Sequence, residues 1–307
     1  MYKLYKYVKM IIFMYNIGCI GGNVSSNILI AIKNLVESPV IELTSHYSGR
    51  NRANGIGDAL EKYIKDLFAN TLSCEDDYFR LQAYNDVFSY TGNQNNPPDI
   101  ILKNGDAIEV KKVQGNANAL ALNSSYPKAK LYSDSTMITS NCRNCEQWTE
   151  KDIIYIVGNT DDSSLKELWF VYGDCYAADK EIYERIKNTI ITGLHSISNI
   201  ELAETNELGK IKKVDPLGIT DLRIRGMWSI FHPKKVFSYL PKKKEDSRFA
   251  FYCVIKENKY NSFSRENRAS LENLIDNQKF FVTDLQIKNP NNPATLENIK
   301  FLEFYYD

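Results

Sequence analysis

Pro97-Pro98-Asp99-Ile100-Ile101-Leu102-Lys103-Asn104-Gly105-Asp106-Ala107-Ile108-Glu109-Val110-Lys111 contains two short apolar runs parted by turn residues. Its register decides how the chain reads. A two-residue Asn104-Gly105 turn would pair Lys103 with Asp106 and Ile100 with Glu109, mixing charge with aliphatic side chains on each face. A three-residue loop, with Gly105 in the left-handed position of a G1 bulge, pairs Leu102 with Asp106, Ile101 with Ala107, Ile100 with Ile108 and Asp99 with Glu109. This second register collects Ile100, Leu102, Ile108 and Val110 on a core face and Asp99, Glu109 and Lys111 on the other. A slip of one residue inverts every side chain, so the apolar pattern selects it.

Directly opposed side chains on such a ribbon have Cβ atoms roughly 4.5–5.5 Å apart. Two carboxylates held that close repel unless a cation lies between them, and oxygen ligands with room for water suit Mg²⁺. A metal so placed activates water and neutralises a scissile phosphate, which is what phosphodiester hydrolysis needs. Lys111, two residues on, would orient the nucleophile or stabilise the transition state. Acting as a full general base would require its pKa to fall by about three units from near 10.4. By itself D-x(n)-E-x-K is a weak pattern, and a surface hairpin with a cross-strand Asp–Lys pair uses the same residues.

Around this hairpin the periodicities alternate. Residues 27–36 (NILIAIKNLV) have helical apolar spacing and stop before Pro39. Residues 48–54 (SGRNRAN) form a polar, basic loop, and 57–70 an amphipathic helix with Leu60, Ile64, Leu67 and Phe68 on one face. Short apolar runs at 153–157 and 168–172 read as buried strands, and 177–191 as a helix with Ile182, Ile186 and Ile190 spaced by fours. The pattern predicts an α/β fold around one sheet. Residues 1–23 read as an extension outside the fold, with Met14 as an alternative initiator, and residues 24–307 as a single domain.

Composition excludes several classes. The 307 residues are 43% hydrophobic, and 38 basic side chains cancel 38 acidic ones, so neither a bulk-charge nucleic-acid binder nor an acidic disordered chain fits. Six scattered cysteines make no disulfide framework, and Cys142-x-x-Cys145 supplies only two of the four ligands of a structural zinc. Three isolated histidines cannot build a His-rich metal centre. The apolar N-terminal stretch is broken by Tyr15 and Asn16 and followed by no cleavage-site pattern, and no segment approaches the ~20 residues of a membrane span. A cytoplasmic protein with no membrane partner is expected. No phosphate-binding glycine loop is present, and Tyr239 stands where a phospholipase-D-type motif beginning at His232 would need aspartate.

The charge is unevenly placed. Residues 210–244 hold ten basic and two acidic side chains, a local net charge of +8 in a neutral chain. A phosphate backbone accounts for such a stripe better than solvent does. Within it Asp221, Arg223 and Arg225 alternate with Leu222 and Ile224, so on a strand they share a face. They suit the edges of a G·C pair, and equally a salt-bridge ladder along the strand. Asn123, Ser124 and Ser125, in the small polar stretch after the catalytic strand, are candidates for approaching bases or for a plain loop. Lys128, Lys130, Lys234 and Lys235 are candidates for phosphate contacts.

Pro98-Asp99 followed by Glu109-Val110-Lys111 resembles the signature of the PD-(D/E)XK nuclease superfamily. The resemblance implies a mixed β-sheet flanked by helices, with Mg²⁺ held by Asp99, Glu109 and the carbonyl of Val110, and Glu61 as a further acid from the preceding helix. Residues 49–61 (GRNRANGIGDALE), 122–128 (LNSSYPK), 172–178 (YGDCYAA) and 214–228 (VDPLGITDLRIRGMW) are similar to the NgoPII-type restriction endonucleases, from about residue 27 to the end. That likeness implies a homodimer cutting double-stranded DNA at GGCC, with recognition elements in the C-terminal half and a cognate DNA methyltransferase as functional partner. A structure-specific or repair nuclease on the same fold, and a non-catalytic DNA-binding module, are the competing readings.

Overall fold

The apolar runs at 153–157 and 168–172 lie at the centre of a mixed sheet of nine strands. The computed structural model describes residues 25–47, 55–93, 96–115, 117–161, 163–244, 246–276 and 278–307. The extension 1–23 and the basic loop 48–54 lie outside the described residues. In chain order the strands are β1 (Phe88–Asn93), β2 (Asn96–Leu102), β3 (Ala107–Gln114), β4 (Ala119–Asn123), β5 (Lys130–Tyr132), β6 (Glu150–Thr160), β7 (Leu165–Tyr172), β8 (Glu201–Ala203), β9 (Gly209–Lys212), β10 (Leu222–Ile224), β11 (Trp228–Phe231), β12 (Phe249–Lys256), β13 (Phe280–Lys288) and β14 (Leu296–Tyr306). The large sheet runs β1-β2-β3-β6-β7-β12-β14-β13, with β5 against the start of β6. The β3–β6 and β7–β12 pairs are parallel and the others antiparallel. Strands β8–β10 form a small separate sheet, and β4 pairs with β11.

Ile153 to Val157 and Leu168 to Tyr172 are buried on both faces, as strands covered on each side must be. Helix α1 (Ile28–Glu37) begins where Asn27 Oδ1 accepts from the amides of Leu29 (2.9 Å) and Ile30 (3.3 Å). Helix α2 (Ile56–Ala69) buries Leu60, Ile64, Leu67 and Phe68 together and ends at Asn70, which is left-handed at φ 54°. Its Leu60 reaches β6 so closely that a Cβ on Gly158 would lie 2.6 Å from Leu60 Cδ2, which is why that strand position is glycine. On the helix's other side Asp66 is fully buried, accepting from the hydroxyls of Tyr47 (2.8 Å), Thr71 (2.5 Å) and Tyr84 (2.6 Å). These bonds tie α2 to helix α3 (Asp77–Val87), which leads into β1.

The helix expected at 177–191 is present as α5 (Lys180–His195), which follows a separate single turn α4 (Gly173–Tyr176). Ile182, Ile186 and Ile190 do lie on one face of α5, but that face is exposed, since no residue of α5 is buried. In the 97–111 hairpin the left-handed residue is Asn104 (φ 54°), not Gly105. Asparagine tolerates that conformation, and glycine is needed next to it for room: a Cβ there would sit 3.0 Å from Leu102 Cβ. Among the described residues, no helix is long and apolar enough to cross a membrane. Cys142 is buried, and Cys145 lies 3.7 Å from Ser89 Oγ.

Candidate active site

The hairpin adopts the register that sorts its side chains. Ile100 pairs with Ile108 and Ile101 with Ala107, and the turn closes through Leu102 N–H to Asp106 O and Gly105 N–H to Leu102 O, each 3.0 Å. Both faces are buried next to the turn, Ile101 and Ala107 included, while Val110 is only half-buried. Beyond Ile100 the ladder gives way to a side chain, for the amide of Val110 donates to Asp99 Oδ2 at 2.7 Å. Continuing the register would set Val110 opposite Pro98, which has no N–H.

Glu109 is buried on β3, which pairs in parallel with β6 and sets Glu109 beside Tyr155. Its Oε1 lies 2.6 Å from Lys111 Nζ, whereas its Oε2 is buried with no hydrogen-bond partner among the described residues. A buried carboxylate oxygen left bare costs free energy that a cation would recover. Burial, and then the neighbouring charge of Glu109, push the Asp99 carboxyl up to about 7. Burial pulls Lys111 down, but the Glu109 carboxylate outweighs it and holds the ammonium above its ordinary range. Two adjacent carboxylates that repel, one with a buried oxygen that has no partner among the described residues, form an oxygen-donor set that fits a hard divalent cation.

These residues line a cavity of about 640 Å³ that also takes in Asn96, Asn123, Ser124, Ser125, Lys128, Tyr155, Arg225 and Met227. The ribbon of β4 and β11 closes it, because Trp228 pairs with Asn123 and so brings the turn after β4 and the segment before β11 to one opening. Tyr126 and Tyr183 pack together with Trp228 of this ribbon, with ring centroids 5.4 Å apart for Tyr126–Tyr183 and 5.7 Å for Tyr183–Trp228.

The other candidates are distributed differently. Glu61 does not line this cavity; it pairs with Lys65 at 2.6 Å, although it is near enough to add to the upward push on Asp99. Ser125 and Lys128, expected at the surface, are buried, and the Lys128 ammonium donates to the Ser125 hydroxyl. Burial, followed by smaller effects of Glu109 (upward) and Lys111 (downward), brings Lys128 down to about 8. Lys130 faces Glu150 (2.7 Å) and Asp152 (3.7 Å). Asp221 pairs with Lys210 at 2.8 Å, and the exposed Arg223 and Arg225 share Glu207. Lys234 bonds Glu167 at 2.9 Å, and Lys235 lies over the Phe231 ring. Much of the basic segment is thus paired with acids outside it, and of its members Arg225 and Met227 reach the cavity. Tyr155 was missed in the sequence. The only signal was a hydroxyl inside an otherwise aliphatic run.

The NgoPII restriction endonuclease family model matches residues 26–288. The chain is 48% identical over 280 residues to the type II restriction enzyme NgoPII of Neisseria gonorrhoeae, a similarity that spans 91% of this chain and 99% of the relative. No solved structure matches it.

Proposed function

This chain belongs to the NgoPII restriction endonuclease family, and on that premise we propose that it is a sequence-specific type II restriction endonuclease of the PD-(D/E)XK type, cutting double-stranded DNA at GGCC as a homodimer. The observation that carries the site is the buried, unpartnered Glu109 Oε2 beside Asp99 and Lys111 in an open cavity. Asp99, Glu109 and the carbonyl of Val110 would hold Mg²⁺. When bound, the ion supplies an activated water and neutralises charge on the phosphate. Val110 N–H orients the Asp99 carboxylate, and Glu109 fixes Lys111 so that its ammonium faces the scissile group. Ion-paired to Glu109, Lys111 acts as a charge that steadies the transition state and orients the attacking water. Arg225, Asn123 and Ser124 at the cavity mouth are placed to approach base edges, with guanine the natural partner of the arginine fork. A cytoplasmic location alongside a protecting methyltransferase follows from the same reading.

The test is digestion of a sequenced plasmid with Mg²⁺ by the wild type and by Asp99→Ala. Discrete fragments ending at GGCC, absent for the variant, support the whole reading. Fragments at another sequence keep the nuclease and overturn the site; random nicking points to a structure-specific enzyme. Binding without strand breaks leaves a DNA-binding module.

A further inference from the structure

The nuclease chemistry leaves the placement of Lys128 unexplained. Lysine is seldom buried without an anionic partner, yet Lys128 is 7% exposed and, among the described residues, makes no ion pair. Its ammonium donates to two neutral oxygens, the Ser125 hydroxyl and, at 3.2 Å, the Tyr126 carbonyl, and lies 5.2 Å from the centroid of the Tyr126 ring. Its main chain is fixed from two sides. The Lys128 amide donates to the Tyr155 hydroxyl at 2.8 Å, and Tyr155 is the register partner of Glu109. Behind it Gly173 is pressed against the carbonyls of Lys128 and Ala129, where any Cβ would collide; the distance to Ala129 O would be 2.6 Å.

The other end of this connection is a tight turn. Ser125 N–H donates to Leu122 O at 3.1 Å and Asn123 is left-handed at φ 51°, so Asn123 and Ser124 form a tip whose base is gripped by Lys128. That tip lines the cavity across from Asp99 and Glu109. Displacement at the tip therefore reaches the Tyr155–Glu109 strand pair through the Ser125 hydroxyl and Tyr126 carbonyl, the ammonium and amide of Lys128, and the Tyr155 hydroxyl.

Resting on the nuclease reading above, we propose that Lys128 is a positioning residue that couples sequence recognition to cleavage, by holding the Leu122–Tyr126 turn in fixed register with Asp99, Glu109 and Lys111. On a matching sequence the seated turn and the scissile phosphate are both in place. On a mismatched one the displaced turn carries the phosphate off the catalytic group.

The test compares wild type, Lys128→Met and Ser125→Ala in two measurements. Lys128→Met keeps the side-chain length and removes a buried charge; Ser125→Ala keeps the charge and removes one link. Hydrogen exchange at the Ser125 amide is expected to quicken at least tenfold in Lys128→Met, with the amides of β6 unchanged. With cognate DNA and a one-base-pair variant, both substitutions are expected to lower kcat on the cognate site with KM little altered, so that discrimination falls at least tenfold. Unchanged exchange in Lys128→Met, or full discrimination in both variants, overturns the proposal. Should the wild type itself fail to cleave, the nuclease reading is lost, and the exchange measurement still decides whether Lys128 holds the turn.

Discussion

The Asp99 carboxylate accepts a hydrogen bond of 2.7 Å from the main-chain amide of Val110, so the strand that carries Glu109 also aims its partner acid. Asparagine at 99 can accept the same bond without the charge. Asp99→Asn is therefore expected to fold normally and lose cleavage by at least about a thousandfold, the scale of a metal's several kcal/mol of charge stabilisation. Single-turnover rates at saturating Mg²⁺ check it, and a loss of less than tenfold would remove Asp99 from the centre.

The same variant has a pH signature. The Asp99 carboxyl stands at about 7 in the folded chain against 3.8 in the reference state, so the folded state holds the extra proton between those values. Its contribution to stability is fully present below about pH 4 and is lost as pH rises through 7. Metal-free Asp99→Asn has no proton to lose, so it is expected to melt several degrees above wild type at pH 8, with the gap closing towards pH 4. Saturating Mg²⁺ should raise the wild type and leave the variant unmoved. A Tm difference independent of pH would contradict this.

Lys111→Ala leaves the Glu109 carboxylate without its cationic neighbour at 2.6 Å. Cleavage should fall about 10²–10³-fold, the usual cost of one charge-stabilising donor, while DNA affinity in Ca²⁺ stays within a few-fold. Gel-shift and single-turnover assays together separate the two; an equal loss in both would make Lys111 a binding residue.

Glu207 holds Arg223 by Nε (3.0 Å) and a terminal nitrogen (2.7 Å), and Arg225 Nε at 2.8 Å. Exposed ion pairs are weak and screened by solvent, so DNA can compete for both arginines. Glu207→Gln is expected to tighten DNA binding about threefold to fivefold at low salt, with the advantage shrinking at high salt. Identical affinities across a salt titration would mean that the arginines stay where they are.

Gly173→Ala would drive a methyl group into the carbonyls of Lys128 and Ala129. Overpacking against main chain typically costs about 1–3 kcal/mol. A Tm several degrees lower by calorimetry is expected, and an unchanged Tm would show that the segment gives way freely.

What the sequence made legible is what depends on period. Alternation in 99–111 specified the pairing of Ile100 with Ile108, and helical spacing placed Leu60, Ile64, Leu67 and Phe68 on one buried face. What it hid depends on partners distant in the chain. The fours-spacing of Ile182, Ile186 and Ile190 marks a helix but says nothing of what covers it, and here that face is open. Lys128 has the composition of a surface residue, and only the approach of Gly173 and Tyr155 takes it inside. The pairing of Arg223 and Arg225 with Glu207 spans 16 residues or more and leaves no local trace.

The aromatic packing of Trp228 against Tyr183 and Tyr126 carries a spectroscopic consequence. The three tryptophans differ in setting: Trp169 is fully buried in the sheet, Trp148 and Trp228 are half-buried, and Trp228 alone sits on the ribbon paired with Asn123. Substituting Trp148 by phenylalanine leaves one tryptophan in the core and one next to the cavity-lining Met227. The seating of DNA is then expected to give a fluorescence change that can be timed by stopped flow before any strand is cut.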